Sequence, residues 1–303
     1  MKKIVLLIIM VFACLSSAEM RWSLDGKSTG DMWGDSTGNG KAFAKLWGRE
    51  VETLIEDSDS YIWVSVDGND NSGEGSILLP YKTITKALSD ANTSAKLKIM
   101  VLAGEYSEVD IVWPNRSGIE LTGIGKVTIV QKTDAATAVV TIAPTSTASW
   151  SATITNINIE SDYTAGTCIS IANAGLSSGK KINIYLTDVS LSTKAATDKS
   201  LIIVGTGSVA GAIRVYANGN YNTWEGLVDF TTTNTGDRLR VYNTRIIGAV
   251  TMNEAIVSEL TFVNCCVPAP TVHSNTLLTN INCWHEDDAD PDTYTAFTDA
   301  YSS

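Results

Sequence analysis

Histidine is nearly absent. The 303 residues hold two, His273 and His285, and they are not spaced as metal ligands. No Gly-rich phosphate loop precedes a helix, so the common nucleotide-binding signature is missing. Five cysteines are present without C-x-x-C spacing. Basic residues are outnumbered, 22 Lys and Arg against 33 Asp and Glu, for a formal charge of −11. With no basic stripe, nucleic acid is excluded as the main partner. Glu, Lys and Gln are sparse while Thr, Ile, Val, Asn, Ser and Gly dominate, which favours strands and polar turns over helices. Asn-Gly occurs only at Asn39-Gly40 and Asn218-Gly219, which disfavours an architecture of tight hairpins such as a β-sandwich.

Long apolar runs are also missing, apart from one at the start. Lys2 and Lys3 precede Ile4–Phe12, which is too short to span a bilayer, and Ser16-Ser17-Ala18 is a small-x-small cleavage site. Residues 1–18 therefore read as an export signal for a secreted or surface protein. Two alternatives stay open: lipidation at Cys14, or an uncleaved apolar helix. Four cysteines follow: Cys168, Cys265, Cys266 and Cys283. Cys265 and Cys266 point to opposite faces of a strand, so one of them can meet Cys283 from a neighbouring coil; buried thiols are the other option.

Residues 19–60 read as a polar arm followed by a helix. Phe43, Leu46, Trp47, Val51, Leu54 and Ile55 make one apolar stripe over Lys41–Glu56. That stripe either caps the main domain or pairs with copies of itself as a homotrimer. Residues 61–285 form the main domain. It opens with a strand at Tyr61–Val66, a turn-rich loop at Asp67–Gly75, an amphipathic helix at Pro80–Ala91 and a strand at Lys98–Glu108. A six-residue pattern (apolar, x, Asn/Asp, x, x, apolar) then recurs with its polar position at Asn156, Asp188, Asn218, Asn243, Asn264 and Asn280. The spacings are 32, 30, 25, 21 and 16 residues, as for successive turns of a solenoid, with the last one short. Asn and Asp suit the bends because they tolerate left-handed backbone. Stacked Asn can also ladder along the axis.

Pro80-Tyr-Lys-Thr-Ile-Thr-Lys-Ala87 and Val101-Leu-Ala-Gly-Glu-Tyr-Ser-Glu108 resemble the cap helix and first coil of pectin-lyase-like proteins. The resemblance implies an all-β fold: a right-handed single-stranded parallel β-helix with an N-terminal cap helix. It implies little about activity, because that fold hosts enzymes, adhesins and virion appendages alike. The lyases' R-x-P and calcium-binding Asp set are missing, as are the polygalacturonases' Asn-Thr-Asp and Gly-His-Gly. The one Asp-Asp is Asp287-Asp288 in the tail.

Two candidate sites follow. Ile182-Asn-Ile-Tyr185, Ile213-Arg-Val-Tyr216 and Leu239-Arg-Val-Tyr242 share one alternation. If their aliphatic residues point inward, Tyr185, Tyr216 and Tyr242 form an outer stripe beside Arg214 and Arg240. Tyr221 and Trp224 would extend it. Such a stripe suits a polysaccharide or a surface protein, or serves stability alone. The tyrosine and Asn/Asp registers differ by one residue at Tyr216, so a bulge is expected. In the acidic tail, residues 286–303, Asp288, Asp290, Asp292 and Asp299 fall at calcium-loop positions, though Thr293 replaces the usual Gly. The leading functional expectation is a non-enzymatic extracellular module, a surface adhesin or virion appendage. The alternative is a secreted polysaccharide lyase or glycoside hydrolase.

Overall fold

A computed structural model of the chain describes residues 60–131, 137–173, 176–195, 197–205, 211–232, 236–252, 258–268, 270–272, 276–286 and 294–296. The chain divides into two compact units, Met1–Asp59 and Ser60–Ser303, and all described residues belong to the second. The export signal, Cys14, the Lys41–Glu56 helix with its trimer, and Asp288, Asp290, Asp292 and Asp299 lie outside the described residues.

The elements run in chain order. First come β1 (Tyr61–Val64), α1 (Ile84–Thr93), β2 (Lys98–Ser107), β3 (Ile111–Val112), β4 (Ile119–Gln131) and β5 (Ala138–Ile142). Next are β6 (Trp150–Ser161), β7 (Thr167–Ala172), β8 (Lys181–Thr193), β9 (Lys199–Gly205), β10 (Ala212–Glu225) and β11 (Leu227–Thr232). Then follow β12 (Arg238–Ile247), β13 (Val250–Met252), β14 (Ser258–Val263), β15 (Thr271–Val272) and β16 (Thr276–Ile281). A short antiparallel pair, β17 (Trp284–Glu286) and β18 (Tyr294–Ala296), ends the series.

The pairing is that of a spiral. One sheet has the order β1-β2-β4-β6-β8-β10-β12-β14-β16, the other β3-β5-β7-β9-β11-β13-β15, and every pair in both is parallel. Each circuit lays one strand on each sheet. The chain is a right-handed parallel β-helix, the hand that parallel crossovers take almost without exception.

Alternation explains the core. In β6 the burial reads inward at Trp150, Ala152 and Ile154, then inward again at Ile157 and Ile159. Asn156 breaks the alternation with φ 55° and turns the chain, while pairing to β8 continues on both sides of it. Asp188, Asn243 and Asn264 make the same turn at φ 53°, 51° and 53°. An ordinary side chain there costs about 1–2 kcal/mol, which short amides and carboxylates largely avoid.

Two expected corners lie elsewhere. Asn280 pairs with the buried Phe262 inside β16, and Asn282 turns the chain at φ 52°. Asn218 stays within β10, whose register shifts between Asn218 and Asn222 where it meets β12. That is the expected bulge. Hydrogen bonds still link these amides along the axis: Asn243 Nδ2 donates to Asn218 Oδ1 (3.2 Å), Asn264 to Asn243 (3.2 Å) and Asn282 to Asn264 (3.3 Å).

The helix α1 closes the first coil, burying Ile84, Ala87, Leu88 and Ala91. It begins at Ile84 rather than Pro80 because Thr83 is extended and caps it, its side chain accepting from Lys86 N. Two carboxylates bind the amides ahead of and within the first turn. Glu108, buried, accepts from Ile84 N (2.6 Å), Thr85 N (2.9 Å) and Thr85 Oγ1 (2.7 Å). Asp70 accepts from Lys82 N (2.8 Å), Thr83 N (3.1 Å) and Thr83 Oγ1 (2.8 Å). These groups would otherwise be orphan donors at a helix start. No helix among the described residues is long and apolar enough to cross a membrane.

Candidate functional site

The predicted outer stripe lies on β8, β10 and β12. Ile182, Ile184, Ile213, Val215, Leu239 and Val241 all face the core with no exposure, so the residues between them face out. Tyr185, 42% exposed, is directly opposite Tyr216. The two rings are stacked, 5.4 Å between centroids and 14° between planes. Such a pair contributes about 0.5–1.5 kcal/mol beyond its burial.

The third tyrosine occupies another row. Tyr216 is opposite Arg240, and Tyr242 is opposite Asn218. A slide of two residues preserves which side chains face in, so alternation alone does not fix this register. Three rows result. One runs Asn183, Arg214, Arg238, Glu259; the second Tyr185, Tyr216, Arg240, Thr261; the third Thr187, Asn218, Tyr242, Val263.

Sequence reasoning did not single out Glu259 and Arg238. Glu259 Oε1 accepts from Arg240 Nε (2.7 Å) and Nη2 (2.6 Å), while Oε2 pairs with Arg238 Nε (3.1 Å). The bond to Glu259 raises the Arg240 pKa further. The Nε of Arg214, in the same row as Glu259, is buried and has no hydrogen-bond partner. Three guanidinium groups thus share a surface with one carboxylate. The signal for Glu259 was available: Glu259-Leu-Thr-Phe-Val263 repeats the alternation of Arg238-Leu-Arg-Val-Tyr242 one coil on.

Between the second and third rows lies an open depression of about 390 Å³, lined by Tyr216, Ala217, Asn218, Tyr242 and Asn243. Asn218 and Asn243, two of its lining residues, share a rung of the amide ladder. Two phenol rings and two amides line the depression, a set that can hold a flat apolar face while hydrogen-bonding hydroxyls. No carboxylate lines it.

Trp224 does not extend this surface. The bulge reverses parity, so Trp224 pairs with the buried Leu191 and points inward, 1% exposed, with Nε1 donating to Val189 O at 2.9 Å. The Tyr221 side chain lies outside the described residues. No group of three or more His, Cys, Asp or Glu among the described residues could hold a metal ion.

Comparison with known proteins touches the N-terminal end of the domain. No curated protein and no solved structure matches the chain. One family, described as "Protein of unknown function (DUF1565)" and comprising right-handed β-helix proteins, matches residues 66–110. That span holds Asp70, the cap helix and Glu108, the parts that close the first coil. The chain is a parallel β-helix protein whose opening coil is similar to that family.

Proposed function

We propose that this chain is an extracellular β-helix module, a surface adhesin or virion appendage, that binds a glycan on the outer face of β8, β10 and β12 and does not cleave it. Support comes from the stacked Tyr185–Tyr216 pair beside the depression lined by Tyr216, Tyr242 and two amides. Sugar rings present apolar faces to aromatic rings and hydroxyls to amides, and the two kinds of group lie side by side here. Arg240 and Arg214 add charge that suits acidic substituents. The predicted export signal supports an extracellular place. A glycoside hydrolase would need paired carboxylates at a groove, about 5–9 Å apart, and the lining of this depression has none.

A glycan-array screen run with an assay for released reducing or unsaturated ends tests both readings. Binding without product is expected. Tyr185→Ala, on an exposed ring, should weaken the selected glycan about tenfold, equivalent to about 1.4 kcal/mol. Product formation, or binding unchanged in Tyr185→Ala and Arg240→Ala, would contradict the proposal.

A further inference from the structure

The last two coils carry a second feature, independent of the Tyr–Arg face. Strand β14 pairs with β16 at a constant offset, ending with Val263 opposite Ile281. The Asn282–Asn264 bond extends that offset by one residue. One further step places Cys265 opposite Cys283, just past two stacked corners. Both side chains are buried, at 0% and 6% exposure, and both are thiols. Cys265 Sγ also lies 3.3 Å from Val241 O, and Cys283 Sγ 3.4 Å from Ile281 O. Neighbouring strands lie about 4.8 Å apart, inside the Cα–Cα window of roughly 4.4–6.8 Å that a disulfide requires.

We propose that Cys265 and Cys283 are an oxidation site, forming a cystine that fastens the edge coil β16 to β14 when the protein meets a disulfide donor. The fold places the bond where it is most useful. β16 ends the order of its sheet, so opening of the solenoid is cheapest there. Leu277 and Ile281 on that strand are exposed. A hydrogen bond between the two thiols lowers the pKa of Cys283 and raises that of Cys265, which makes Cys283 the attacking group. Its thiolate attacks one sulfur of a small-molecule or protein disulfide. A mixed disulfide forms and the first donor thiolate leaves. Cys265 then gives up its proton and attacks Cys283 Sγ, releasing the second donor thiolate. Two protein thiols are oxidised and one donor disulfide is reduced to two thiols. Cys266, next in the chain, alternates to the other side of the coil and is only partly buried, so it is not the partner.

The test uses the full chain, folded and treated with oxidised glutathione, then denatured in acid and alkylated. Chymotrypsin separates the two sites, because Leu277 and Leu278 lie between Cys266 and Cys283 whereas no Lys or Arg does. The expected result is a cross-linked peptide pair lighter by two hydrogens, retained in Cys266→Ser and lost in Cys265→Ser. The oxidised chain should melt several degrees above the reduced one, by roughly 5 °C. Mapping in the unaltered chain needs no variant to fold. Full alkylation of Cys265 and Cys283 after oxidation would overturn the proposal, as would a cross-link from Cys266 or Cys168.

Discussion

The two ends of the described solenoid solve one problem differently. A coil can bury its inner face only against a neighbour, so the first and last coils each have a face with no further coil on it. At the N-terminal end the helix α1 covers that face with Ile84, Ala87, Leu88 and Ala91, held by the carboxylates of Asp70 and Glu108. At the C-terminal end the order is carried along the axis instead, by the amide rungs from Asn218 to Asn282 and the adjoining thiols. The lid buries apolar area against β1, β2 and β3 together. A ladder of single rungs ties each coil only to the next. The N-terminal end should therefore unfold with the whole domain, and the C-terminal end should open locally.

Substitutions can break that contrast. The largest effect is expected from Glu108→Ala, which leaves two backbone amides and a hydroxyl without their acceptor and should cost about 3 kcal/mol of global stability in urea titration. Asn264→Ala puts an alanine at φ 53° and removes a rung on each side. It should cost about 1–2 kcal/mol, read as faster amide exchange confined to β14 and β16. Exchange spreading into β2 and β4 would show the two ends to be equally coupled. The smallest effect belongs to neither end. Ala165 sits at φ 64°, where glycine is unstrained, so Ala165→Gly should stabilise by about 0.5 kcal/mol.

The contrast also explains what could be read from the sequence. The lid was legible because its parts are local: Thr83, Ile84 and Glu108 fall within one short motif pair whose residue types cap a helix. The inward rows were legible because period-two alternation is insensitive to neighbours; Ile184 and Val215 are both fully buried as expected. Corners were legible where Asn or Asp alone could supply left-handed backbone, as at Asn156 and Asp188. Register was not. Tyr216 could have faced Tyr242 or Arg240 without changing a single inward residue, and only the pairing of β10 with β12 decides it. The same bulge turned Trp224 into the core. Asn280 and Asn282 are two residues apart and chemically identical, so only the stacked ladder identifies the corner. The carboxylate that joins Arg238 and Arg240 comes from the next coil, and that neighbour relation exists only after stacking.

The stacking itself can be measured between distant points on one outer row. Glu120, Thr153, Tyr185, Tyr216, Arg240, Thr261 and Thr279 are successive partners across seven strands. Nitroxide labels carried on unnatural amino acids at 153 and 261 should lie about 19 Å apart by pulsed dipolar spectroscopy, and labels at 120 and 279 about 29 Å, at roughly 4.8 Å per strand. A difference near 10 Å between the two pairs is what in-register parallel coils predict; equal separations, or a shorter one for 120 and 279, would contradict the β-helix.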